Sequence, residues 1–228
     1  MTTSLLNSLL RALLRWGAAL VFCLPLRHRS HFWARACGML FPLLLLAQLL
    51  DPLAQSTTLW QQQLLLLVLY ISFFALLGGM IYLCTDINKK GALYCAVWSL
   101  LIAQCAYESW CFLELQFTRY GHPLNMASPW AVLVQLLSGA VFFAAVYILL
   151  ARQLPYKGEY NIGPRQLFSA FFIGILFMVQ AAVLDNARTE HTPLSLTVTI
   201  LIGQFYFITL LYFQSELFKK SAMEKEMN

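Results

Sequence analysis

The chain has 228 residues, of which 60% are hydrophobic and 11% charged, with a mean hydropathy of +0.68. Soluble domains carry about 25% charged residues, so this balance excludes a water-soluble globular class and points to an all-α, polytopic transmembrane helical bundle. The formal net charge of +5 is spread between apolar runs rather than gathered into a stripe, which argues against nucleic-acid binding and makes the basic residues topology signals.

Hydropathy divides the chain into seven spans: Leu6–Leu26, Ala36–Leu53, Leu64–Cys84, Ala92–Leu113, Trp130–Ala151, Leu167–Leu184 and Leu194–Phe213. Each approaches the 20 or so residues needed to cross a hydrocarbon core about 30 Å thick. The first is the least apolar. Arg11 and Arg15 lie one turn apart on the same helical face, and snorkelling to the interface is the simplest way to keep both charges solvated. A segment lying in the interface, leaving six spans, is the alternative. Asp51-Pro52 and Asp185-Asn186 read as the ends of spans two and six. Gly78-Gly79 in span three allows close helix packing.

The connectors alternate in charge. The first, third and fifth, together with the C-terminal tail, hold eleven Lys and Arg residues, against two in the second, fourth and sixth. The positive-inside rule then puts the N-terminus outside and the C-terminus in the cytoplasm. The expected location is a cell membrane, with the lipid bilayer as the first partner.

Polar residues inside spans are the functional candidates, because lipid exposure would cost several kcal/mol. In span four Gln104 and Glu108 stand at i, i+4 on one face. A carboxylate there reaches either the outer headgroups or an outward-facing ligand cavity. The candidate ligand contacts are Gln104, Tyr107, Glu108, Arg119, Tyr120 and Arg188. The outer connectors are short, which places such a site partly within the bundle.

The stretch Phe205–Asn228 passes from an apolar helix pattern into the charged FQSELFKKSAMEKEMN with no Gly or Pro to interrupt it. Such a helix carries motion out of a bilayer, with Phe213, Leu217 and Lys220 as relay positions. Residues 1–213 read as a membrane sensor domain, and 214–228 as the start of a cytoplasmic signalling helix.

Enzymatic motifs are sparse. The sequence has no His-Glu-x-x-His, no Gly-rich phosphate loop and no Cys-x-x-Cys, so no metal site, cofactor site or catalytic residue is expected in it. One enzymatic arrangement has to be weighed. Cys23, Cys37 and Cys84 lie near the depth of His28 and His31, and a Cys–His pair at a membrane surface could serve a peptidase that processes signalling peptides. A transporter-like or accessory protein is a further alternative, disfavoured by the lack of an internal repeat or paired broken spans.

Three segments together resemble the membrane sensor region of GHKL-type, AgrC-like sensor histidine kinases of Gram-positive bacteria. They are LPLRHRSHFWARACGMLFPLLLL, YLCTDINKKGALYCAVWSLLIAQCAY and the exit FQSELFKKSAMEKEMN. The resemblance covers essentially the whole chain. It implies a bacterial quorum-sensing receptor that binds an extracellular peptide and forms a homodimer. It also implies a last helix leading to a phosphoacceptor histidine and an ATP- and Mg-binding domain, through which a cytoplasmic response regulator would be reached. The sequence to Asn228 contains neither element, so kinase activity would require a further domain. Where the family has a histidine late in span four, this chain has Gln104-Cys105-Ala106-Tyr107.

Overall fold

Five long helices follow one another up and down in chain order: α1 (Thr2–Cys23), α2 (Phe32–Gln55), α3 (Leu59–Cys84), α4 (Lys89–Arg119) and α5 (Pro129–Leu149). The computed structural model describes residues 2–55, 59–119, 129–149 and 167–176, together with Ala151, Pro164 and Gly203. Among these residues the fold is all helical, and a shorter apolar helix covers Leu167–Leu176. Four helices are long and apolar enough to cross a membrane, with windows at Phe32–Leu49, Leu67–Cys84, Lys89–Thr118 and Pro129–Ile148. The expected span 194–213, Gly203 apart, and the last eight residues of span 167–184 lie outside the described residues, as does the tail 214–228.

Helix boundaries have local causes. α1 stops before Pro25, which cannot continue an α-helical ladder. The turn into α2 closes at His31, whose φ of 58° lies in the left-handed region. Asn88 caps α4, its Oδ1 accepting from the Gly91 N–H at 2.7 Å, the usual Asn N-cap arrangement. Asp51-Pro52 marks the end of the second span as expected from sequence, since the apolar window closes at Leu49, although the helix itself runs on to Gln55. Pro52 removes only its own N–H, and it does so in the last turn, where few bonds follow.

α4 is the axis of the bundle. At 31 residues and a rise of about 1.5 Å each it is about 46 Å long, longer than the hydrocarbon core it would cross. From Tyr94 to Ala106 every residue is buried, so the helix is enclosed on all sides. Trp98, Tyr94, Leu101 and Cys105 anchor the main core. Gly78 brings α3 close to α4: a Cβ built there would lie 3.5 Å from the Ala96 Cβ, so the close packing expected of Gly78-Gly79 is present. The 167–176 helix completes the enclosure, with Phe171 edge-on to Phe74 at 5.4 Å and Gly174 against Val97.

α1 packs inside this arrangement rather than at its edge. None of its described side chains is exposed. The Trp16 indole donates to the Ala36 carbonyl of α2 at 2.7 Å, and Gly17 accepts the edge of Phe143 from α5. Its arginines both meet aromatic rings of neighbouring helices. The Arg15 guanidinium lies 3.9 Å from the centroid of the Phe73 ring on α3, and Arg11 turns onto Tyr107 of α4. The neighbouring helices therefore supply partners for both arginines.

Candidate functional site

The i, i+4 pair on α4 is buried. Gln104 is 8% exposed and Glu108 3% exposed, with the Gln104 Nε2 donating to the Glu108 Oε1 at 3.4 Å. Tyr107, on the same turn, is half-buried, and its hydroxyl accepts from the Arg11 Nη2 at 3.3 Å. The guanidinium also stands 5.2 Å from the centroid of the Tyr107 ring. Thus α4 carries an acceptor-rich turn, and the neighbouring helix α1 brings a cation to it. Ser8, a turn before Arg11, is also buried.

α5 adds a member that the sequence reading missed. Its inward face is Ala131, Gln135, Gly139 and Val146, at helical spacing. Gly139 meets Leu14 and Phe143 meets Gly17, so α5 runs parallel to α1, and Gln135 falls at the level of Leu10 and Arg11. Gln135 is 3% exposed, and among the described residues its Oε1 has no hydrogen-bond partner. A small apolar cluster of Trp110, Cys111 and Ala131, flanked by Tyr107 and Val134, closes the site on the side of that end of the bundle. One sequence signal could have found Gln135. It is the lone amide in the apolar run PWAVLVQLLSGAVFFAAVYIL, at a position that packs inward.

Buried polar groups are costly unless hydrogen-bonded, and a buried charge much more so. Two contacts, Arg11 with Tyr107 and Gln104 with Glu108, and the buried Ser8 and Gln135 together make a polar seam on three helices. The family-model, curated-protein and solved-structure comparisons returned no match for this chain.

Of the ligand contacts expected from sequence, Gln104, Tyr107 and Glu108 come together. Arg119 is the last residue of α4, more than two turns beyond Glu108. Tyr120 and Arg188, with the relay positions Phe213, Leu217 and Lys220, lie outside the described residues.

The Cys–His arrangement is drawn to the opposite end, where α1 and α3 finish and α2 and α4 begin. Cys23 and Cys84 are buried there and Cys37 is exposed. His28 is committed to structure. One ring nitrogen lies 3.1 Å from the Cys23 carbonyl oxygen, and the ring stacks on Phe32 at 4.1 Å. No hydrogen bond joins a thiol of Cys23, Cys37 or Cys84 to a histidine among the described residues. No group of three or more potential metal ligands occurs among them either.

Proposed function

We propose that this chain is the membrane sensor portion of a GHKL-type histidine kinase. In this reading it spans the bilayer seven times, with the N-terminus outside and the C-terminus in the cytoplasm. The observation that carries the proposal is the polar seam of α1, α4 and α5: the part-buried contact of Arg11 with Tyr107, the buried pair Gln104 and Glu108, and the buried Gln135. By the charge alternation of the connectors, that seam lies in the outer half of the bundle. A ligand offering polar groups there, such as a short extracellular peptide, competes with Arg11 for Tyr107 and gives the Gln135 oxygen a donor. The helices then have two arrangements, with the seam closed on itself or closed on ligand. Ligand shifts the balance between them only through its different affinity for the two. The shift reaches the cytoplasm through the last span and the helix at Phe213, Leu217 and Lys220. There a homodimeric kinase region would use ATP and Mg to pass phosphate to a response regulator.

The test begins with the gene. The native reading frame past Asn228 should encode a phosphoacceptor histidine and a nucleotide site, and the complete membrane-reconstituted protein should autophosphorylate with MgATP. Arg11→Gln or Tyr107→Phe should alter the basal autophosphorylation level without abolishing it. A native protein that lacks a kinase region, or one whose autophosphorylation ignores both substitutions, refutes the reading.

A further inference from the structure

The other end of the bundle is built from two turns laced into one platform. The Arg29 N–H donates to the Cys84 carbonyl at 3.0 Å, and the Asp86 N–H donates to the Arg27 carbonyl at 2.9 Å. The Arg35 Nη1 donates to the Leu83 carbonyl at 2.8 Å. Arg29 pairs with Asp86 at 3.7 Å and lies over the Tyr82 ring. His28 and Thr85 form an isolated bridge between the turns. These bonds fix the backbone from which the local cations project.

The charge of the platform is lopsided. Residues 24–35 and 83–90 contain five Lys and Arg and one carboxylate, Asp86, and Asp86 already faces Arg29. Arg27, Lys89 and Lys90 are exposed, and among the described residues none of them has an ion-pair partner. Both α2 and α4 start here, so two helix dipoles add positive potential in the same place. Beside the cations stand exposed apolar groups: Trp33 at 60%, Leu83 at 44% and Leu24 at 43%. Tryptophan with aliphatic neighbours belongs at the boundary between headgroups and acyl chains.

We propose that this platform binds the phosphate headgroups of anionic phospholipids, with Arg27, Lys89 and Lys90 as the phosphate contacts and Trp33 at the acyl-chain boundary. The apolar rim selects a lipid over free phosphate or an acidic soluble protein, because neither of those would cover Trp33 and Leu83. The inference requires only that the helices sit in a bilayer. It is independent of the receptor reading and survives that reading's failure.

The purified chain is reconstituted in phosphatidylcholine vesicles containing rising shares of brominated phosphatidylglycerol, and tryptophan quenching is followed. The difference between wild type and Trp33→Phe isolates the signal of Trp33. Quenching of Trp33 should saturate at a low anionic share and resist competition by inorganic phosphate. The triple variant Arg27→Gln/Lys89→Gln/Lys90→Gln should lose at least about tenfold of the anionic preference, since a cation near the surface contributes up to about fivefold. Lys89→Arg/Lys90→Arg, which keeps the charge, should retain the preference. If the triple variant does not fold, single Lys→Gln variants are compared, and each should lower the preference in the same direction. Equal quenching by brominated phosphatidylcholine overturns the proposal. So does displacement by inorganic phosphate, or a folded charge-neutral variant with the wild-type preference.

Discussion

The contact between Arg11 and Tyr107 is the point at which the seam can be measured. Tyr107→Phe removes the hydroxyl acceptor and leaves the ring in place, whereas Arg11→Met removes the cation and preserves the stem. The hydrogen bond has a charged donor but is long, at 3.3 Å, and only partly buried, so it should contribute about 1 kcal/mol rather than the upper range for charged donors. The ring contact at 5.2 Å should add about 0.5–1 kcal/mol. Tyr107→Phe should therefore destabilise the chain by about 1 kcal/mol, and Arg11→Met by about 1.5–2 kcal/mol. The double variant should cost less than the sum, with a coupling of about 1 kcal/mol. Replacing Phe by Leu at position 107 should raise that coupling by the ring contribution. The assay is unfolding of the purified chain in mixed micelles, titrated with SDS and followed by helical ellipticity. A coupling below about 0.3 kcal/mol, within the additivity expected of distant sites, would mean that Arg11 does not engage α4. The seam would then lose its link to the first helix.

Gln135→Leu should leave stability unchanged or raise it by up to about 1 kcal/mol, because it removes a buried amide oxygen that has no partner among the described residues and that carries a desolvation cost. A loss of more than about 1 kcal/mol would instead reveal a structural hydrogen bond at that oxygen. Glu108→Leu should destabilise more than Glu108→Gln, since the amide keeps an acceptor for Gln104 and the alkyl chain does not; equal melting temperatures would refute this. In native micelles N-ethylmaleimide should label Cys37 quickly and the five buried cysteines only after denaturation, a count that intact-mass spectrometry reads directly. Arg15→Leu should cost about 0.5–2 kcal/mol through loss of the cation–π contact with Phe73, and Arg15→Lys should recover part of it.

The helices themselves were legible from hydropathy, because apolar runs of this length have few other uses. The first five expected segments coincide with helices α1–α5 to within several residues at most ends, although only α2–α5 contain windows long and apolar enough to cross a membrane. The largest departures are polar extensions. α3 begins before its three glutamines, at Leu59, and α4 continues past Leu113 to Arg119. Hydropathy marks where a helix is apolar, whereas backbone hydrogen bonding continues for as long as the residues tolerate it. The pairing of Gln104 with Glu108 was legible for a local reason, since four residues along a helix always share a face. The partner of Tyr107 depended on how α1 docks, and no local spacing encodes that. Gln135 was missed because a single amide in an apolar run carries no pattern until its helix face is known to point inward.

The position of α1 follows from the same accounting of polar groups. α2, α3 and α5 present large apolar side chains outward, such as Phe41, Leu45 and Leu49 on α2, Ile71 on α3 and Val141 on α5. They can meet hydrocarbon directly. α1 carries two arginines and could not do so at low cost, because a central arginine opposes insertion by about 2.5–3.5 kcal/mol even on the more lenient scales. Its stability in the bundle depends on groups that other helices supply: the Phe73 ring, the Tyr107 hydroxyl and ring, and the Ala36 carbonyl. α1 is therefore held twice, by these contacts and by its buried apolar residues Leu10, Leu14, Val21 and Phe22, and the arginine contacts are the part of that hold that a substitution can remove without opening the apolar core.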